Sequence, residues 1–213
     1  SGTLASGVTW VDGKFGKAIE FDGSSDATSN VMFPSGVGDV GNQVSISVWV
    51  KEVTAGGRLV SNKSAAANGG YSLYTSSSDT LVNWRGSSGL SKSVAVTSSW
   101  GAGNWHHLVL TVNGNGSNNS KLYADGIFRT QETVEEIVNG TSVLTLGKHP
   151  PGGNRFEGVM DDLRIYGKVL ATSDVSTLYG SGAGDFITTI VGSSLKVKNA
   201  GTVTLTAHAL GTA

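Results

Sequence analysis

The sequence predicts an all-β fold in which two antiparallel sheets pack as a jelly-roll-like sandwich. Three observations carry this. Apolar and polar residues alternate with period two in many short runs, the pattern of a strand with one buried face. The 213 residues include 31 Gly and only 3 Pro, which suits tight turns between short strands. Helical periodicity is nearly absent, and strands at this spacing indicate a sandwich.

Each element follows from its own pattern. In VSISVWVKEV, Val44, Ile46, Val48 and Val50 alternate with Ser45, Ser47, Trp49 and Lys51. YSLYT and TLVNWR read as two strands joined by the polar turn SSSD. In HHLVLTV, Leu108, Leu110 and Val112 form one face, and His107, Val109 and Thr111 the other. Leu122 and Ala124 point inward from KLYADG, and Asp125-Gly126 is a hairpin signal ahead of IFRTQ. SVLTLG and FEGVMDDLRIY are further strands. The one helix candidate spans Thr172 to Leu178. Thr172 or Ser173 can cap it, Asp174 suits its first turn, and Val175 and Leu178 share a face.

A composition break at GSGAGD, Gly180 to Asp185, divides the chain into residues 1–182 and a tail, 183–213. The tail alternates again, with Val203 and Leu205 against Thr202, Thr204 and Thr206. It resembles the opening strands of a bacterial immunoglobulin-like repeat. Roughly 28 residues cannot bury a core of their own, so the tail docks on the sandwich, pairs with another molecule or stays loose.

Composition restricts function. A net charge of −1 offers no basic surface for nucleic acid. No run of about 18 apolar residues exists to insert in a membrane. The absence of cysteine excludes disulfides, zinc–thiolate sites and a thiol nucleophile. A cysteine-free β chain rich in Gly, Ser, Asn and Thr points to an extracellular or cell-surface bacterial protein. Sequons at Asn62, Asn115, Asn118 and Asn139 are what chance supplies in such a chain.

Five stretches follow one another in order: GKFGKAIEFDGSSD (Gly13–Asp26), VSISVWVKEV (Val44–Val53), NWHHLVLTVNG (Asn104–Gly114), KLYADG (Lys121–Gly126) and FEGVMDDLRIYGKVLATSDVSTLY (Phe156–Tyr179). In this order they resemble the laminin-G-like group of the concanavalin A-like lectin/glucanase superfamily, from about Gly13 to Tyr179. The resemblance implies a sandwich with a short helix after the last strand. The family usually places a Ser one position before this helix, where this chain has Ala171. It also implies structural roles for Trp49 and Trp105. Fold alone leaves function open, since such folds host both enzymes and binding modules.

The resemblance further implies a structural calcium site at Asp22 of FDG and Asp161 of GVMDD. Ser24, in the turn Gly23-Ser24-Ser25, and Asp26 are additional oxygen donors. The other reading of the same residues is that Asp22 makes an Asx-turn and Asp161 caps a loop through backbone N–H groups.

For sugar binding, the best local cluster is Asn83-Trp84-Arg85, a stacking ring flanked by amide and guanidinium donors. Tyr71, Tyr74 and Trp100 are candidate neighbours. The loop KHPPGGNRF offers His149, Asn154 and Arg155 at a groove mouth. On a regular strand Trp84 faces opposite to Asn83 and Arg85, so Trp84 is either a platform or a core residue.

No catalytic constellation is present. Retaining glucanases need two carboxylates alternating on one strand, about 5–5.5 Å apart. In ETVEE, Glu132 and Glu135 are three apart and diverge, as do the adjacent Asp161 and Asp162. His106 and His107 also diverge. The expectation is a non-catalytic carbohydrate-binding module with a glycan or polysaccharide ligand, working beside neighbouring domains of a longer chain. The alternatives are an adhesive spacer with no small ligand, and a polysaccharide-degrading enzyme.

Overall fold

The computed structural model of the chain describes residues 3–24, 29–52, 57–63, 70–75, 81–85, 91–95, 103–114, 116–133, 142–149, 153–180, 194–195 and 205–206. In chain order the first strands are β1 (Thr3–Leu4), β2 (Val8–Asp12), β3 (Lys17–Asp22), β4 (Val31–Met32) and β5 (Gln43–Glu52). Next come β6 (Gly57–Ser61), β7 (Ser72–Thr75), β8 (Leu81–Arg85), β9 (Ser91–Ala95), β10 (His106–Asn113) and β11 (Ser120–Ala124). The rest are β12 (Ile127–Glu132), β13 (Thr145–Leu146), β14 (Glu157–Tyr166), helix α1 (Thr172–Gly180), β15 (Ser194–Leu195) and β16 (Leu205–Thr206).

These strands form two sheets. The smaller runs β1-β4-β13-β6-β7-β8-β9, and the larger runs β12-β11-β10-β5-β14-β15-β16, with β3 also pairing β14 and β2. Each described pairing is antiparallel. The period-two residues meet between the sheets: Val44, Ile46, Val48 and Val50 of β5 join Leu108, Leu110 and Val112 of β10 and Leu122 and Ala124 of β11. From the smaller sheet Val31, Leu59, Val60, Leu73 and Leu146 complete this core. Asp125 and Gly126 carry the positive φ values, 52° and 73°, that a tight β11–β12 hairpin requires.

The back of the larger sheet is covered as well. α1 follows β14 and folds over it, so Val175 and Leu178 pack with Val109, Tyr123, Tyr166 and Leu170 in a second apolar cluster. The connection is pinned by Ser45, whose hydroxyl donates to Lys168 O at 2.7 Å and accepts from Leu170 N at 3.0 Å. The helix begins one residue earlier than a Thr172 cap requires. Ala171 holds the cap position: its carbonyl accepts from Val175 N, and Asp174 Oδ2 accepts from its N–H at 3.0 Å. This is half of a capping box, lacking the hydroxyl that normally answers.

The register of β14 against β5 breaks between Asp161 and Arg164. Asp162 there takes φ 45° and its carboxylate binds Arg164 through both Nε and Nη2, each at 2.9 Å. In the tail, β15 joins the end of β14 at Tyr166↔Ser194 and pairs with β16.

Candidate functional site

The register of the smaller sheet sorts its residues by face. Leu73 pairs with Val60 on one side and Trp84 on the other, and Leu73 and Val60 both belong to the core. Directly paired residues share a face, so Trp84 occupies an inward position. The rows between point outward. Ser72 pairs with Ser61 and Arg85, and Tyr74 pairs with Arg58 and Asn83. Thr145 continues the Ser61 row to Met32, which is exposed. A register shift between Arg58 and Val60 lets Leu59 and Val60 both enter the core while Arg58 turns outward.

Arg58 organises this face. It is 1% exposed, unusual for a guanidinium. Its Nη1 donates to Ser72 Oγ at 2.8 Å, and its Cζ lies 3.8 Å from the centre of the Tyr74 ring, a close cation–π contact. Its backbone N–H donates to Asn154 O at 2.9 Å, which brings the β13–β14 loop against the strand. That loop closes through His149 N to Gly153 O and Phe156 N to Gly147 O. The chain passes so near that a Cβ on Gly57 would strike Phe156 Cα and Arg155 O. The face thus offers a half-buried Tyr74 and an exposed loop residue, Asn154, over a guanidinium and Ser61, Ser72 and Thr145 hydroxyls that are themselves buried. None of the smaller sheet's described strands contains Asp or Glu.

The residues singled out from sequence divide accordingly. Asn83 and Arg85 take outward register positions beside Tyr74 and Ser72, whereas Trp84 takes an inward one; their side chains lie outside the described set, as do Trp100 and Asp26. Tyr71 does not present a ring to a ligand. It is 1% exposed, its hydroxyl donates to Gly38 O at 3.1 Å, and burial drives its pKa strongly upward. His149 and Arg155 are half-buried in the loop beside Arg58. Arg58, the central residue, was not among those singled out; its signal was a lone charge in the apolar run GRLVS.

The structure does not bring Asp22 and Asp161 together. Asp22 pairs with Glu157 across β3 and β14, and Asp161 lies four residues further along β14, about 13 Å away at strand spacing. One ion cannot take both. Asp161 instead closes the β2–β3 turn: its Oδ2 accepts from Phe15 N at 2.8 Å and its Oδ1 from Asp162 N at 2.7 Å. Burial raises its pKa, and these N–H groups oppose the rise. Asp22 makes the Asx-turn, accepting from Ser24 N at 2.9 Å. Among the described residues, no three His, Asp or Glu side chains gather as a metal site.

The back of the larger sheet holds a separate polar cluster. His107 Nε2 lies 2.9 Å from Ser47 Oγ, and the His107 ring stacks on Trp49 at 5.0 Å and Tyr179 at 6.0 Å. Asp125 binds His106 Nδ1 and the His107 N–H. The Ser47–His107 pair resembles a nucleophile with its base, but His107 is 1% exposed beneath two aromatic rings. Burial lowers its pKa to about 4. It is a structural group.

Two packed antiparallel sheets, a helix on the back of one and a polar face on the other define a lectin-like β-sandwich. The family model described as the Concanavalin A-like lectin/glucanases superfamily matches residues 23–176, and the chain belongs to that superfamily. None of the curated proteins matches it in sequence. Among solved structures, the binding domain of Paraclostridial Mosquitocidal Protein 1 aligns with a TM-score of 0.63 and 19% identity, over 85% of this chain and 47% of that one. The botulinum neurotoxin serotype G binding domain aligns with a TM-score of 0.62 and 16% identity, over 84% and 46%. The chain thus spans about half of these toxin domains. Domain 4 of AbnA, an extracellular arabinanase from Geobacillus stearothermophilus solved with arabinotriose, aligns with a TM-score of 0.62 and 25% identity, over 84% of this chain and 87% of that one.

Proposed function

We propose that the protein is a non-catalytic carbohydrate-binding module, with its glycan contact on the outward face of the smaller sheet around Tyr74. The observation that carries this reading is the half-buried Tyr74 ring, fixed from within by the buried Arg58 guanidinium that Ser72 anchors, beside the exposed Asn154. Sugars are held by such a mixture of ring stacking and directed hydrogen bonds. The likeness to an arabinanase domain solved with arabinotriose supports it, because the two chains correspond over nearly their whole lengths. The lack of Asp and Glu on the strands of this sheet supports binding without hydrolysis, which needs a carboxylate pair. A bacterial cell-surface or secreted setting, with neighbouring domains, belongs to the same proposal and rests on the cysteine-free composition. A calcium ion, if part of the function, would have Asp22 and Ser24 as its described donors, apart from the glycan face.

The test is a titration with arabinotriose and linear arabinan, with soluble cellulose oligosaccharides for comparison, followed by calorimetry. Tyr74→Ala is expected to remove binding while the melting temperature falls only slightly. Product analysis of the same mixtures should show no cleavage. A protein that binds none of these probes favours the spacer reading, and one that binds equally well as Tyr74→Ala refutes this site.

A further inference from the structure

The back of the larger sheet carries a second feature, remote from the Tyr74 face. Beyond the part covered by α1, a cleft of about 290 Å³ opens, lined by Thr111, Asn113, Ser117, Asn118, Asn119, Lys121 and Val169. Its volume is near the lower bound for small-molecule sites, about 300 Å³. The floor follows from register. Thr111 pairs with Lys121 on one side and Ser45 on the other, all on the outward face of β10, β11 and β5. Ser45 anchors the Lys168–Leu170 segment, which sets Val169 as one wall. The opposite wall is the β10–β11 loop.

That loop is built rather than slack. Asn113 N donates to Asn119 O at 2.8 Å and Gly114 N to Asn42 O at 2.7 Å. Gln43 Nε2 donates to Asn113 Oδ1 at 2.7 Å, and the Asn119 amide donates to Gly114 O. Asn118 is held at φ 53° with its N–H on Thr133 Oγ1 at 2.9 Å. The wall is therefore formed before any ligand arrives, which reduces the entropy lost on binding.

The floor supplies the second observation. Thr111 is 2% exposed and lines the bottom of the cleft, where its hydroxyl can donate or accept. We infer that the cleft is a second ligand site, which takes one sugar residue and prefers a carboxylate-bearing, uronic-acid type. Hydroxyls and primary amides both donate and accept, which matches adjacent sugar hydroxyls. Val169 offers an apolar surface to the ring. Lys121 is the one ionised side chain among the lining residues, and none of them is Asp or Glu, so an anion is favoured over a cation. The site is independent of the Tyr74 face.

The test is an NMR titration of the nitrogen-15-labelled protein with sodium glucuronate and, separately, with glucose. The expected result is saturable shifts of the Asn113 and Asn118 side-chain amides, with Kd in the millimolar range. Thr111→Val keeps the strand shape and is expected to weaken both ligands about three- to tenfold, the effect of losing one hydrogen bond. Lys121→Gln is expected to weaken glucuronate about two- to fivefold, the scale of an exposed ion pair, and to leave glucose unchanged. Ser117→Ala, on the exposed loop, provides a variant whose folding is not in question and should weaken both sugars. Tyr74→Ala should leave all of these titrations unchanged. The inference is overturned by an absence of saturable shifts at these amides. An unaltered Kd in both Thr111→Val and Ser117→Ala overturns it too, and equal affinity for glucuronate and glucose overturns the anion preference.

Discussion

Lowering the pH should loosen the back of the larger sheet through one residue, His107. Its ring is buried against Trp49 and Tyr179, which also stack on each other, with Nε2 on Ser47 and no partner at Nδ1. Charging it would place a proton on a nitrogen without an acceptor. Burial is the main cause of its depressed pKa; Asp125 works against the depression and Arg164 adds to it. The unfolded chain takes up a proton near the ordinary value of 6.5, and the folded chain only near about 4. Between those values the unfolded state binds more protons, so stability falls as pH falls. Full stability is present above 6.5, and the loss is complete below about 4. The gap corresponds to roughly 3 kcal/mol at about 1.4 kcal/mol per pH unit, most of which is gone by pH 4.5. Urea denaturation at pH 7.5, 5.5 and 4.5 measures this, and His107→Gln should be less stable at pH 7.5 but flatter across the series. Asp125, whose pKa is lowered, loses its contribution only at lower pH. Asp161, whose pKa is raised, has the opposite sign and offsets part of the fall. A parent protein equally stable at all three pH values, or a His107→Gln variant with the same slope, would refute the reasoning.

Three further outcomes are expected. Gly57→Ala should destabilise by about 3 kcal/mol, the upper end for overpacking, because its Cβ meets the backbone of Arg155 and Phe156 rather than a movable side chain; the urea midpoint reads it. Ala171→Ser should raise stability by about 1 kcal/mol by supplying the missing helix-cap hydroxyl, and an unchanged melting temperature would show that the half-box already suffices. Asp161→Ala should destabilise by about 1–3 kcal/mol by leaving the turn N–H groups of Phe15 and Asp162 unanswered. Chelator should shift the melting temperature of this variant no differently from that of the parent, since Asp161 is not placed to share an ion with Asp22.

The face proposed for binding shows where sequence reasoning stops. Asn83 and Arg85 were legible because turn spacing fixed their strand. Trp84 was ambiguous because alternation says that neighbours diverge, not which of them faces the core. The pairing Leu73↔Trp84 sets the register of that position, and pairing is long-range. Arg58 escaped notice because a charge in an apolar run reads as an edge or an error until the shift beside Val60 turns it outward over Tyr74. The cleft at Thr111 is formed by β10, β11 and the segment before α1, about fifty residues apart in sequence, so no local pattern marks it.

The sequence by itself determined the sandwich, the inward faces of β5, β10 and β11, the Asp125-Gly126 hairpin and the short helix. Each of these depends on local period, turn chemistry or capping, which a few adjacent residues specify. Only the tertiary structure decided that Asp22 and Asp161 sit at different ends of one strand pairing, that Tyr71 belongs to the interior, and that α1 roofs His107. Those outcomes depend on register and on which sheet face a distant segment covers, and a one-residue slip would reverse the first kind without altering the sequence pattern.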